Sequence, residues 1–224
     1  MRAMVLAAGR GERMGALTQD RPKPLLRAGG KALIDYTLEA LARAGVHEVV
    51  VNHAYLGEQV IAHIADGARF GLCVSYSPET DGALETGGGL MQALPLLGPD
   101  PFIAVNADVF SDFDFTQLPY APKGLAHLVL VPNPTHHMSG DFGLEHGYVN
   151  EHGTPRHTFS GIGVYRPELW RHRTGGHFPL GPLLREIMSS GGVTGQLHDG
   201  IWNDIGTPER LDSLDASLRQ PDWS

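Results

Sequence analysis

The 224-residue sequence has one cysteine, no apolar run approaching eighteen residues, no internal repeat, no low-complexity segment and no surplus of basic residues. Each shortage excludes something. The lone Cys73 cannot form an internal disulfide, and its apolar neighbours predict a small buried side chain, not a nucleophile. A membrane-spanning helix needs about twenty apolar residues in a row, so none is expected and no membrane partner with it. The N-terminus enters an apolar stretch directly, without the charged and then apolar regions of a leader, which predicts a cytoplasmic protein. With 25 Asp and Glu against 17 Lys and Arg, a net charge of −8, the chain lacks the broad basic surface on which nucleic-acid binding relies. One domain, 1–224, is the default at this length, and folding should bury roughly 70% of the surface exposed by the unfolded chain.

The basic residues that are present are concentrated near the start. Arg10, Arg13, Arg21, Lys23, Arg27 and Lys31 share one stretch with only Glu12 and Asp20. They follow an apolar run, 3–8, that reads as a buried strand and stops at a loop carrying Gly9, Gly11 and Gly15. Glycines there let backbone N–H groups approach an anion with no Cβ in the way, and the neighbouring cations neutralise it. A basic mouth on an acidic body favours a small polyanion. It is not a Walker A loop, because Ala32 follows Lys31 where a Ser or Thr is needed. Nor is it a dinucleotide fingerprint, whose third glycine position holds Met14.

Beyond the loop, the pattern alternates. Apolar spacing predicts helices at 33–44 and 55–65 and strands at 48–53 and 73–77, the signature of a parallel sheet with helical crossovers. Gly87, Gly88 and Gly89 precede an apolar helical stretch, 90–97. Three glycines are costly inside a helix, so they predict a close backbone approach to a ligand. The strand 102–106 ends in Asn106-Ala107-Asp108, which puts Asp108 at the carboxyl end, where open α/β sheets bind ligands. Further strands are expected at 126–131, 158–165 and 193–198, a polar hairpin at 143–151, and helices at 167–172, 181–190 and 208–218, with Thr207 as the last helix's N-cap. Asp204 lies among apolar residues that should bury it, which is costly for a carboxylate unless it is paired or on a metal. Asp108 and Asp204 together suit Mg2+, which takes one or two carboxylates beside water and phosphate oxygens. The adjacent His136 and His137 cannot face one point and are not expected to form a metal pair, and Asp112 and Asp114 read as ordinary acidic loop residues.

The segments LAAGRGERM and PKPLL, then LETGGG, then Trp202-Asn203-Asp204-Ile205-Gly206-Thr207, resemble the motifs of the sugar-1-phosphate nucleotidyltransferases, and the likeness runs over nearly the whole chain, with no repeat-rich second domain. The resemblance implies a Rossmann-like α/β fold, a mostly parallel sheet flanked by helices with a small sugar-side β-hairpin region. Residues 1–110 would form mainly the nucleotide part and 111–224 mainly the sugar part. It implies catalytic roles for Lys23 and Arg13, and nucleotide binding by Ala8, Gly9, Gly11, Glu12, Arg13, Lys23, Glu79, Thr86, Gly87 and Gly88. It puts Asn106, Asp141, Ser160 and Gly161 at the sugar phosphate, and Mg2+ on Asp108 and Asp204. Three positions depart from the family pattern: Gly15-Ala16 replaces a common proline, Ala107 replaces a glycine and is strained only if its φ is positive, and the lysine of a Glu-Lys-Pro segment is missing, with Arg156 or His157 as substitutes. The substrates implied are UTP and a sugar 1-phosphate, with N-acetylmuramate 1-phosphate favoured. Another sugar-1-phosphate nucleotidyltransferase, a choline-phosphate cytidylyltransferase and a non-catalytic sugar-nucleotide sensor stay open. A monomer is expected.

Overall fold

A computed structural model describes residues 1–80 and 82–220. In chain order its strands and helices are β1 (Ala3–Leu6), β2 (Arg27–Ala28), β3 (Lys31–Ala32), α1 (Leu33–Arg43), β4 (Glu48–His53), α2 (Gly57–Ile64), β5 (Cys73–Pro78) and α3 (Glu85–Leu97). There follow β6 (Phe102–Asn106), β7 (Val109–Ser111), β8 (Ala126–Val131), β9 (Phe142–Glu145), β10 (Tyr148–Asn150), β11 (Arg156–Tyr165), α4 (Leu180–Met188), β12 (Val193–Leu197), β13 (Trp202–Asp204) and α5 (Pro208–Leu218).

Nine strands make one sheet in the order β5-β4-β1-β6-β11-β8-β12-β10-β9. The first four are parallel, joined by the crossover helices α1, α2 and α3. β11 then runs antiparallel between β6 and β8, and the β9–β10 hairpin closes the far edge. Successive residues face opposite sides of a strand, and here both sides are covered. Val5, Val51 and Val105 meet Leu38 and Leu41 of α1 on one face. Met4, Val50 and Ala104 meet Leu90 of α3 and Leu183 of α4 on the other. The carboxyl ends of β1, β4 and β6 therefore open side by side at one edge of a rigid core. A third cluster, Met14, Leu26, Phe110, Ile205, Leu211 and Leu214, packs α5 against the basic stretch. Asp215 of α5 accepts the Gly29 N–H at 2.9 Å, and that hydrogen bond is the main cause holding its carboxyl below the usual range.

Three expectations change. Cys73 is exposed, because β5 is the edge strand and its first residue lies outside the helix cover. Residues 167–172 give only a short 3-10 turn, Pro167–Trp170. Gly87, Gly88 and Gly89 lie inside α3, not ahead of it. The close approach there is made by the chain itself. A Cβ on Gly87 would sit 2.6 Å from the Phe178 ring, and one on Gly88 would collide with the Gly176 carbonyl. The Gly88 N–H donates to the Phe178 carbonyl at 3.1 Å, and the Gly87 carbonyl accepts from Trp170 Nε1 at 3.1 Å.

Trp170 is thus the anchor of this junction. It is buried, stacked on Phe102 at 5.9 Å, and bonded to the glycine turn. Trp170→Phe removes the side-chain donor from the Gly87 carbonyl and leaves a small void beside Phe102. Urea denaturation should show a loss of about 2–4 kcal/mol; a loss below 0.5 kcal/mol, the size of an inert surface change, would remove this anchor from the account.

Candidate active site

The end of β1 is tied to its neighbours by a buried polar relay. Asn52 Oδ1, at the end of β4, accepts the Ala7 N–H at 2.7 Å, and Asn52 Nδ2 donates to Glu79 Oε1 at 2.6 Å. Glu79 Oε2 accepts the Leu84 N–H at 2.7 Å at the entry to α3. Both side chains are almost fully buried, so each needs these partners. The relay floors a cavity of about 200 Å3 that is lined also by Ala8, Gly9, Lys23, Glu85, Thr86, Asn106 and Asp108. Sequence reasoning overlooked Asn52. A polar residue closing the Val-rich run Val49-Val50-Val51 was the available signal.

Gly11 has φ +68°, and a Cβ there would press on Lys23 Cβ at 3.0 Å. The loop can therefore close over the lysine stem only with glycine at this position. Gly9 has no neighbour within 4 Å of an added Cβ, so its open side belongs to the cavity. Lys23 is only 8% exposed, and its Nζ ion-pairs with Asp108 Oδ2 just past β6. Ala107 is absent from the residues with positive φ, so alanine is unstrained there. Glu12 and Arg13 of the loop are exposed.

Asp204 arrives beside Asp108 through the backbone. β13 pairs antiparallel with β7, Asp204 standing opposite Val109, and the Ile205 N–H donates to the Asp108 carbonyl at 2.9 Å. The carboxylate is not buried as expected: its side chain is 28% exposed, since β7 and β13 form a two-stranded ribbon apart from the main sheet. Its oxygens pair with Arg210 at 2.6 Å and His136 at 3.0 Å. An added Cβ on Gly206 would lie 3.0 Å from Arg210 and 3.2 Å from Arg13, so two guanidinium groups border this carboxylate's turn. Arg210 and His136 were not singled out as partners of Asp204 in the sequence, because the three lie far apart along it. Among the described residues no three His, Cys, Asp or Glu side chains gather as a complete metal cage. Two carboxylate-bearing residues joined through the backbone, one of them lining the cavity, have the donor chemistry of a hard divalent ion that keeps water and phosphate ligands.

A second cavity, about 260 Å3, adjoins the first and shares Thr86 and Asn106 with it. Asp141, Phe142, Phe159, Leu184 and Arg185 complete much of its wall. Asp141 Oδ2 accepts the Phe159 N–H at 2.8 Å, and Oδ1 meets His137 Nε2 at 3.0 Å. The Ser160 hydroxyl points elsewhere: it donates to the Val129 carbonyl at 2.7 Å and accepts the Ile162 N–H at 3.1 Å within a β11 bulge. Gly161, at φ +80°, leaves room for Asn106, whose Nδ2 would be 2.5 Å from a Cβ. Ser160 and Gly161 thus shape the bulge that seats Asn106. Arg156 is engaged by the carbonyls of Glu151 at 2.8 Å and Asp141 at 2.5 Å, which ties it to loop structure.

A strand-end glycine loop with a buried lysine paired to a carboxylate, opening beside a second polar pocket, is the geometry of a site for transfer between two anionic substrates. The chain belongs to the nucleotidyl transferase family, whose sequence profile matches residues 2–144. It is 47% identical over 225 residues to the N-acetylmuramate alpha-1-phosphate uridylyltransferase of Neisseria meningitidis serogroup B, covering 96% of this chain and 97% of that one. Identity to the enzyme of the same name from Caulobacter vibrioides is 33%, covering 97% of each. The fold superposes on a Bacillus anthracis protein assigned as a glucose-1-phosphate thymidylyltransferase with a TM-score of 0.84, at 19% identity, over 100% of this chain and 97% of that one.

Replacing Lys23 by alanine should lower kcat for nucleotidyl transfer by about 10²–10³, the usual cost of one electrostatic donor. Steady-state kinetics on the folded variant reads this directly, and a loss under fivefold would take Lys23 out of the reaction.

Proposed function

We propose that this enzyme makes UDP-N-acetylmuramate and pyrophosphate from UTP and N-acetylmuramate 1-phosphate. The observation that carries the reading is the 47% identity, over 96% of the chain, to a uridylyltransferase of that substrate. Two adjoining cavities that share Thr86 and Asn106 support it, since two anionic substrates must meet there. Residues 1–110 supply most of the nucleotide half and 111–224 most of the sugar half. Salvage of cell-wall sugars in the cytoplasm, where UTP is made, is the accompanying biological reading.

An oxygen of the sugar phosphate attacks the α-phosphorus of UTP in line, forming the new P–O bond as the bond to pyrophosphate breaks. The protein's work is positioning and charge stabilisation. The Ala8, Gly9 and Gly11 backbone, with Glu12 and Arg13 at the rim, holds the departing phosphates. Lys23 exchanges Asp108 for an α-phosphate oxygen. Glu79 and Thr86 form the base side, backed by the α3 turn in which Gly87 and Gly88 pack against the 176–178 segment. Asn106 and Asp141 receive the sugar, on a wall shaped by Ser160 and Gly161. Enzymes of this family generally need a divalent metal. Here Asp108 and Asp204 would hold Mg2+, which supplies Lewis-acid polarisation of phosphate oxygens when bound.

Pyrophosphate release, measured with four nucleoside triphosphates crossed with N-acetylmuramate 1-phosphate, N-acetylglucosamine 1-phosphate, glucose 1-phosphate, mannose 1-phosphate and phosphocholine, tests the reading. The expected optimum is UTP with the muramate, and added EDTA should abolish it. A better pair elsewhere in the grid would replace the substrates and keep the chemistry. Nucleotide binding without turnover of any pair would make the protein a sensor.

A further inference from the structure

The second cavity contains a group that the transfer chemistry leaves unused. Arg185 stands on α4 and is the one cation among the described residues lining that cavity. Its position is built in. The guanidinium carbon lies 5.5 Å from the centroid of the Phe142 ring. One turn back along the helix, a Cβ on Gly181 would come within 3.2 Å of Arg185 Nη1, although Gly181 has an ordinary backbone that any residue could adopt. Glycine there makes room for the guanidinium, which leans over the preceding helical turn as long helical side chains do. Nε pairs with Glu151 at 3.3 Å, a contact between side chains 39% and 40% exposed. That surface pair is weak and holds the side chain by one edge. The two terminal nitrogens form a fork, and a fork is the geometry that takes a carboxylate through two parallel hydrogen bonds.

N-acetylmuramate differs from N-acetylglucosamine by a lactyl ether on O3, and the ether ends in a carboxylate. The phosphate of the acceptor belongs near Asp108 and Lys23, whereas Asp141 would repel a second anion on the sugar side. We infer that Arg185 is the specificity-determining residue that binds the lactyl carboxylate and so selects an acidic amino sugar over its neutral parent. This rests on the proposed substrate and adds to it the group that reads the distinguishing atoms.

The test compares wild type, Arg185→Met and Arg185→Lys with N-acetylmuramate 1-phosphate and with its neutral lactamide analogue. Arg185→Met should raise KM for the acid by about 10–100-fold, the range of a charge-assisted hydrogen-bonded pair, and leave KM for UTP within about twofold. It should also erase the wild-type preference for the acid over the amide, with Arg185→Lys recovering part of both. Partial unfolding would lower kcat for both substrates and leave KM values and the preference in place, so a structural role reads differently. If wild type turns over the acid but Arg185→Met keeps its KM and its preference, the inference about Arg185 is overturned alone. Wild type that does not turn over the acid overturns the substrate assignment and this inference with it.

Discussion

The ion pair between Lys23 and Asp108 holds the site together. Burying a lysine to 8% exposure is costly unless a partner replaces water, and the strand-end carboxylate is that partner. The pair links the glycine loop after β1 to the end of β6, so the anion-binding half of the cleft and its carboxylate wall are registered to each other. An ammonium held by a carboxylate is also an ammonium available to a stronger anion. The same logic applies to Asp204, whose partners Arg210 and His136 keep a second carboxylate neutralised beside Arg13. Both carboxylates at the mouth of this acidic chain are thus met by cations, Asp108 by Lys23 and Asp204 by Arg210 and His136.

Around those pairs the scaffold is stiff. Four parallel strands, covered on both faces, end together, and the Ala7–Asn52–Glu79–Leu84 relay locks the ends of β1, β4 and β5 to the start of α3. The antiparallel β11 then brings its bulge at Phe159–Ile162 beside Asn106. Trp202 adds a long-range tie by donating to the Ser160 carbonyl at 2.9 Å, so the bulge and the Asp204 ribbon are positioned by one side chain. A short, rigid frame is what in-line transfer between two repelling anions requires, because a small misplacement costs rate steeply.

Much of this frame was legible along the chain. β4, β6, β8 and α5 run over the residues that local pattern marks, Glu48–His53, Phe102–Asn106, Ala126–Val131 and Pro208–Leu218, because Val-rich runs and a Thr-Pro cap are local signals. The glycine loop, Lys23 and Asp108 were legible from motif spacing, and the structure brings all three to one cavity. What stayed hidden depends on partners far away in sequence. Gly87 and Gly88 are explained by the 176–178 segment, the exposure of Cys73 by the edge position of β5, and the half-buried state of Asp204 by a ribbon outside the main sheet. Ser160 looked like a ligand group by its motif, yet its hydroxyl completes a bulge.

The claim that Lys23 is held in reserve for phosphate can be measured without turnover. Asp108→Asn removes both the competing partner of Lys23 and one negative charge facing the nucleotide. Calorimetric titration with UTP in EDTA should therefore show binding about tenfold tighter than wild type, the scale of one nearby charge removed from a partly screened site. Equal or weaker binding would mean that Asp108 does not restrain the lysine, and the exchange at the centre of this account would be wrong.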